Sequence, residues 1–513
     1  MSLSNARSLL LVVTVGTAAS AAQADPGLIV SRTVYPTGTN IPAITPNVTV
    51  LPNGALAVGD GSFANVFKNE TPDPSFGVAT GILIDRRTLT GSIVATFAPG
   101  TGTSLVTSFS SKSELGLNVS QDGKSVTFMG YAAAPNALDV SNANTAFFTD
   151  PSNPVTNPAN PLPTVARAIG TFDLTTGAIT STPVDAYSGN NGRNVVLASN
   201  GNYYMAGNAG NSTNSSPLAT GTVFSTLSDN TGVQMIAKGS SGATTVVGAV
   251  NGTFGNSNGY QRGFSITQLG VAADKTGKDD NFRGLTVFNN TLYVSKGSGG
   301  NGVNTVYQVG TAGSLPTAAN AGSTAITILP GFPSLTASSK PDTSTHPFGL
   351  WFGDASTLFV ADEGDGTTTG GASAGLGEFK LQNGVWHKVA TFANGLTNQA
   401  SYTQGLPWDI FTDGLRNLTG LKNADGSFHL WATTATTSSD TGHDLGADPN
   451  ELVSITVNAD GTASAFSVLE LAVAGERFGG VAIADVSAVP EPETFALMLC
   501  GLGMLPLTRR RSR

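Results

Sequence analysis

Leu350-Trp351-Phe352, then Gly353-Asp354, then Leu358-Phe359-Val360-Ala361-Asp362 is the stretch on which the fold turns. Bulky aliphatic and aromatic residues fill both arms, as strands require, and the Gly-Asp step between them marks a turn. The unit recurs along the chain. Leu117-Asn118-Val119 leads through Asp122-Gly123 to Val126-Thr127-Phe128-Met129-Gly130. Val195-Val196-Leu197 leads through Asn200-Gly201 to Tyr203-Tyr204-Met205. Leu285–Phe288 leads through Asn289-Asn290 to Leu292-Tyr293-Val294, and Val48–Leu51 leads through Asn53-Gly54 to Ala55–Val58. Asn-Gly and Asp-Gly supply the positive φ angles of tight hairpins.

Most units continue with two more strands. Leu376–Leu381 and Trp386–Ala390 follow Val360, while Thr305–Val309 and Ala325–Leu329 follow Leu292. A late unit holds Trp408–Phe411, Phe428–Trp431, Leu452–Ile455 and Phe466–Leu469. Four antiparallel strands per unit, repeated, resembles the architecture of a β-propeller over most of residues 28–486. The expectation is an all-β propeller of about seven four-stranded blades. Six or eight blades, a tandem of β-sandwiches or a β-helix stand as alternatives. Phe478–Asp485 reads as one more innermost strand, with Leu28–Val34 closing the ring beside it. Long loops at Asn136–Pro163 and Gly239–Asp280 widen the spacing between first strands.

Composition agrees with a turn-rich β protein. Only 12% of residues are charged and Gly numbers 63, yet 40% are hydrophobic, so the chain is not of the disordered class. The net charge is −9. An acidic chain is a poor ligand for nucleic acid or anionic lipid. The single cysteine, Cys500, lies near the C-terminal end, so the body of the chain has no disulfide, thiol nucleophile or cysteine zinc site.

The two ends read as processing segments. Met1–Ala24 carries Arg7, an apolar stretch from Leu9 to Ala22, and the small residues Ala22 and Ala24 around Gln23. This is the pattern of a secretory signal cut before Asp25. At the other end, Val489-Pro490-Glu491-Pro492-Glu493 precedes an apolar run from Phe495 to Leu507 and the basic cluster Arg509, Arg510 and Arg511. Pro-Glu-Pro, short apolar helix and arginine cluster, in that order, resemble the PEP-CTERM sorting tail. The resemblance implies export through the inner membrane, processing by an exosortase, and delivery to the cell surface, outer membrane or extracellular matrix. The run would span roughly 20 Å as a helix, short of the ~30 Å hydrocarbon core, so it suits a processed segment better than a permanent anchor. The arginines would remain cytoplasmic. The expected division is residues 1–24 as signal, 25–486 as ectodomain, and 487–513 as sorting tail with a short transmembrane helix at about 495–507. With Arg7 and the four tail arginines removed but Glu491 and Glu493 kept, Lys+Arg falls from 25 to 20 against 34 acids, leaving −14.

Candidate chemistry is sparse. His387 and His429 sit in strand patterns, and His443 sits in a loop. His346, just ahead of the inner strand Phe348–Phe352, is the histidine best placed for a channel-mouth role. The acidic clusters are Asp362-Glu363-Gly364-Asp365, Asp279-Asp280, and Asp440 with Asp444 and Asp448. Carboxylates on Gly-rich loops can hold Ca²⁺, and Asp362, Glu363 and Asp365 are the weak candidates here. No EF-hand spacing, phosphate loop or His-Glu-x-x-His occurs. Arg283 and Arg477 stand just before inner-strand patterns, where each either pairs with a loop carboxylate or binds an anion or sugar. No catalytic residue is assigned and no cofactor is expected beyond calcium. PEP-CTERM proteins generally occur in bacteria that make exopolysaccharide, so the resemblance implies a binding or scaffold role with a matrix or polysaccharide partner. The rival is a periplasmic or secreted hydrolase or lyase with its site at a channel mouth. Convergence of His346, an arginine and two or three carboxylates would favour that rival; a mouth of Asn, Ser and Thr would favour binding.

Overall fold

A computed structural model describes residues 25–35, 78–109, 113–138, 164–210, 229–251, 261–271, 278–297, 301–335, 344–368, 370–396, 400–440 and 445–486, with isolated positions between them. The described chain is all-β, its helical elements being 3-10 turns such as Ile266–Leu269. Among the described residues no helix is long and apolar enough to cross a membrane. The expected signal, the sorting motif, the short C-terminal helix and nearly all of the hairpin expected at Val48–Val58 lie outside the described residues.

Four separate four-stranded sheets form antiparallel meanders in chain order, the arrangement of propeller blades. The Gly192 blade comprises Gly192–Leu197, Asn202–Gly207, Gly232–Ala237 and Thr245–Val247. The Leu285 blade comprises Leu285–Phe288, Thr291–Lys296, Thr305–Val309 and Ile326–Ile328. The Pro347 blade comprises Pro347–Asp354, Thr357–Asp362, Gly375–Gln382 and Val385–Phe392. The Ile410 blade comprises Ile410–Lys422, Phe428–Ser438, Glu451–Val457 and Ser467–Leu471.

The remaining long strands do not stand as further separate blades, and the expected count of about seven is corrected here. They merge into one nine-stranded sheet, because Val106–Ser108 pairs both with Ala79–Arg87 and with Ser125–Tyr131 and so joins two groups of strands. Within that sheet Asp25–Val34 lies between Ala79–Arg87 and Glu476–Val486. The start and the end of the described chain therefore pair with each other, as the closing strands were expected to do.

The turns follow the sequence with one exception. Asn289 and Asn290 take φ of 45° and 56°, and Gly201 and Gly123 take 78° and 68°, the left-handed values that their hairpins demand. In the Pro347 blade, however, Gly353 and Asp354 belong to the strand, and Ala355-Ser356 make the turn. Gly353 serves packing instead, since a Cβ there would stand 2.5 Å from the Phe428 ring of the next blade. The loop expected over Gly239–Asp280 holds strand Thr245–Val247 and the short ladder of Val250–Asn251 with Gln261–Arg262.

The core lies between successive sheets. Tyr204, Val233 and Met235 of the Gly192 blade pack on Leu292, Val294 and Tyr307. Val306 of the Leu285 blade meets Leu350, Phe352 and Val360, with Phe288 stacked on Phe352 at 4.6 Å between centroids. Phe359 and Leu376 meet Leu415, Leu430 and Val453. Trp431 and Leu452 meet Leu28, Val30, Phe478 and Val481 of the closing strands. Each apolar face is thus covered by its neighbour, which removes the need for disulfides. Near the axis the innermost strands approach so closely that only glycine fits. A Cβ on Gly349 would stand 2.6 Å from the Arg416 carbonyl oxygen of the next blade.

Candidate functional site

Strand Ile410–Lys422 is thirteen residues long and carries two bulges. Its pairing with Phe428–Ser438 steps from Thr412↔Thr436 to Gly414↔Ala435, skipping Asp413, and from Leu415↔Thr434 to Asn417↔Thr433, skipping Arg416. A bulge re-aims the extra residue's side chain out of the regular alternation. Both bulged residues are charged and buried, Asp413 being 5% and Arg416 6% exposed. They line a cavity of about 270 Å³ together with Arg283, His346, Glu363, Asp365 and Thr437. The Leu285, Pro347 and Ile410 blades all contribute.

The loop that follows Thr357–Asp362 is held by its own carboxylates. Asp362 accepts the backbone N–H groups of His346 at 2.8 Å and Gly364 at 3.0 Å. Glu363 accepts the Arg416 Nε–H at 3.2 Å, an ion pair between blades. Asp365 accepts the Thr367 backbone N–H at 2.9 Å and its hydroxyl at 2.6 Å. The three calcium candidates therefore spend oxygens on loop geometry and on Arg416. Among the described residues no group of three His, Cys, Asp or Glu side chains is placed to hold a metal ion.

Asp413 is held differently. Its Oδ2 accepts the Gly366 backbone N–H at 3.0 Å, while its buried Oδ1 has no partner. Burial pushes this carboxyl up to about 7; the Gly366 N–H opposes the rise, Glu363 and Asp365 add to it, and Arg416 opposes it. Gly364, at φ 85°, presses against Oδ1 so closely that a Cβ could not be accommodated. The His346 Nδ1 is likewise buried without a partner. Arg283 donates to the Ser113 hydroxyl and lies over the Phe348 ring, 5.9 Å from its centroid. The cavity thus gathers a carboxyl that stays protonated to near neutrality, an imidazole and two arginines, which is a set suited to holding polar ligands and moving protons.

Of the residues singled out in the sequence, His346, Glu363, Asp365 and Arg283 come together here. Asp362 braces the same loop from behind. Arg477 does not join them; it lies within strand Glu476–Val486, and its guanidinium donates to the Ser111 carbonyl. His387 lies in the edge strand Val385–Phe392, and His429 stacks on Trp431 at 4.0 Å. Asp279 accepts the Ser265 hydroxyl and the Ile266 N–H, bracing a 3-10 turn, and Asp448 accepts the Trp408 indole N–H at 3.0 Å. Asp440 stands at the end of the Ile410 blade's second strand, while His443 and Asp444 lie outside the described residues. Asp280 is fully buried with neither oxygen bonded beyond its own backbone, and burial pushes it up to about 7. Asp413 and Arg416 escaped the sequence reading. Their signal is that Ile410, Phe411, Leu415 and Leu418 recur without the strict alternation of a regular strand, with the two charges falling between them.

No protein-family model matches the chain, and no curated protein matches it. Among solved structures the chain is similar to a GH74 enzyme of Niastella koreensis, at 13% identity and a TM-score of 0.32, over 82% of this chain and 47% of that one. It spans about half the length of that enzyme. It is also similar to a protein of unknown function from Bacteroides caccae, at 9% identity and a TM-score of 0.35, over 80% of this chain and 99% of that one.

Proposed function

We propose that this chain is an exported bacterial surface or matrix protein, processed at its PEP-CTERM tail, whose propeller pocket binds sugar units of an extracellular polysaccharide. The export half rests on the sequence, where a secretory signal and a Pro-Glu-Pro tail flank one β ectodomain. The binding half rests on one observation. Three neighbouring blades bring Arg283, His346, Glu363, Asp365, Asp413, Arg416 and Thr437 around one cavity. Many alternating donors and acceptors suit a polyhydroxylated ligand.

The propeller reading extends to six blades. Two of them lie within the nine-stranded sheet. One is Glu476–Val486, Asp25–Val34, Ala79–Arg87 and Ile93–Phe97; the other is Asn118–Val119, Ser125–Tyr131, Arg167–Asp173 and Ile179–Val184. A ring whose closing blade joins both chain ends leaves the inner-strand termini free to carry a site.

Two measurements test this reading. Mass spectrometry of the exported protein should find a mature C-terminus that lacks Arg513; an intact Arg513 would remove the processing claim. Oligosaccharide binding should weaken at least tenfold in Arg283→Ala, and unchanged binding would remove the pocket from the reading. The convergence of His346 and two arginines with Glu363, Asp365 and Asp413 favours a second reading, a hydrolase or lyase.

A further inference from the structure

The carboxylates of this protein supply their own standard of comparison. Asp362 uses both oxygens on backbone N–H groups. Asp85 uses both on Arg32, Arg87 and Thr96. Asp413 is as buried as these, yet it is fixed through Oδ2 alone, and Oδ1 is left without a donor. A buried polar atom without a partner is uncommon in a folded protein and asks for a reason. The His346 Nδ1 is a second such atom on the same cavity, contributed by the neighbouring blade. Asp280 is unpartnered too, but Asp413 and His346 line one pocket from two blades.

We propose that this pocket hydrolyses a glycosidic bond, with the Asp413 carboxyl as proton donor and the His346 imidazole as the base that activates water. The proposal rests on the reading that the pocket receives carbohydrate. Asp413 gives its proton to the glycosidic oxygen as the bond from that oxygen to the anomeric carbon breaks. Water forms the new bond to the anomeric carbon and yields a proton to the His346 ring. That proton returns through solvent to Asp413. One water is consumed, and two sugars ending in hydroxyls leave, with no oxidant or metal required.

Several features support these roles. Oδ2 is pinned by the Gly366 N–H at 3.0 Å, which fixes the carboxyl's position while leaving the other oxygen for the proton. The charged groups facing it are Glu363 and Asp365 from the adjoining loop and Arg416 from its own strand, and the His346 ring lines the same cavity. Burial, helped by the two acids, pushes the Asp413 carboxyl up to about 7, so a donor is present at neutral pH. Both unpartnered atoms are buried, and contacts of this kind tighten only in the complex. The arginines argue for a neutral sugar and against elimination from a uronate. Arg416 is paired with Glu363 at 3.2 Å and Arg283 is shared with Ser113 and Phe348, so neither charge is set apart for a uronate, while the five N–H donors of a guanidinium still allow Arg283 to serve sugar hydroxyls.

The test uses the full exported protein, a panel of neutral polysaccharides (glucan, mannan, xylan and galactan) and, for comparison, alginate and pectate. Expected are new reducing ends from a neutral polymer, one ¹⁸O per cleavage from labelled water, and no absorbance from an unsaturated product. Asp413→Asn should lower kcat at least 100-fold with KM and folding by circular dichroism retained. His346→Gln, a second variant in the segment leading into Pro347–Asp354, should do the same, and the wild-type rate should fall as pH rises through about 7. Binding without cleavage anywhere in the panel would overturn the catalytic inference and leave the binding reading standing. Absence of both binding and cleavage would overturn both. Full rate in folded Asp413→Asn, or an unsaturated product, would overturn the assigned roles.

Discussion

The Asn417 side-chain amide donates to the Gly479 carbonyl at 2.8 Å, tying the innermost strand of the Ile410 blade to the last strand of the described chain. That last strand pairs in turn with Asp25–Val34. Ring closure therefore depends on side chains from the far end of the sequence. Phe478 is the largest of them, buried among Trp431, Leu28 and Val30, with the Arg87 guanidinium 5.4 Å over its ring. Phe478→Ala should cost about 3–5 kcal/mol, since the cavity it leaves is walled by two sheets and cannot collapse. Urea unfolding measures this; a loss below about 1 kcal/mol would mean that the closing strand contributes little.

Asp280 should make the protein less stable as pH rises. Its folded value is raised to about 7 from an ordinary 3.8. The native state therefore holds this proton more tightly than the unfolded chain does. Stability is full below pH ~4 and declines until about 7, by an amount on the order of 4 kcal/mol for the group taken alone. Lys278 and Lys296 lie near enough to soften the decline. Asp280→Asn should flatten this part of the profile and leave the variant the more stable at pH 8. Parallel wild-type and variant curves in urea titrations from pH 4 to 9 would contradict it.

Asp85 should act with the opposite sign. Burial alone would raise it, but bonds from Arg32 at 2.9 Å, Thr96 at 2.7 Å and Arg87 at 2.7 Å outweigh burial and hold it below the usual carboxylate range. Its stabilising contribution is present above pH ~4 and is lost as pH falls through the lowered folded value. Asp85→Ala leaves the fully buried Arg87 with Glu470, the Gly91 carbonyl and the Phe478 ring, and should cost about 3–5 kcal/mol at pH 7. The difference from wild type should shrink on acidification, which thermal melts at pH 7 and pH 3 would record.

The sequence carried the strands better than the site. Paired apolar runs with Asn or Gly between them located hairpins such as Leu285–Phe288 with Thr291–Lys296, because β pairing and left-handed turns leave local marks. The blade count was not local. Val106–Ser108 is three residues long, yet it bridges two groups of strands, and nothing in its composition tells a bridge from a loop. His346 and Arg283 were legible because they precede inner strands. Asp413 and Arg416 were not, because a bulge depends on register against a partner strand and the reading of that strand ended at Phe411. Asp362, Glu363 and Asp365 looked like cation ligands from their spacing; their loop uses them as acceptors for N–H groups and for Arg416.

Gly364 should prove coupled to Asp413. It holds φ at 85°, where alanine costs about 1 kcal/mol, and it faces Asp413 Oδ1 with room only for hydrogen. Gly364→Ala should therefore cost about 1 kcal/mol for the backbone and a further 1–2 kcal/mol for displacing the carboxyl. In an Asp413→Ala background most of the second part should disappear, since the opposing carboxyl is gone and the residue's backbone carbonyl, 2.9 Å from the added Cβ, is what remains. A double-mutant cycle in urea isolates the coupling, expected at about 1–2 kcal/mol. A coupling near zero would mean that Asp413 is free to turn away from Gly364. Its unpartnered oxygen would then reflect a mobile side chain, without the fixed geometry that a proton donor at the cavity needs.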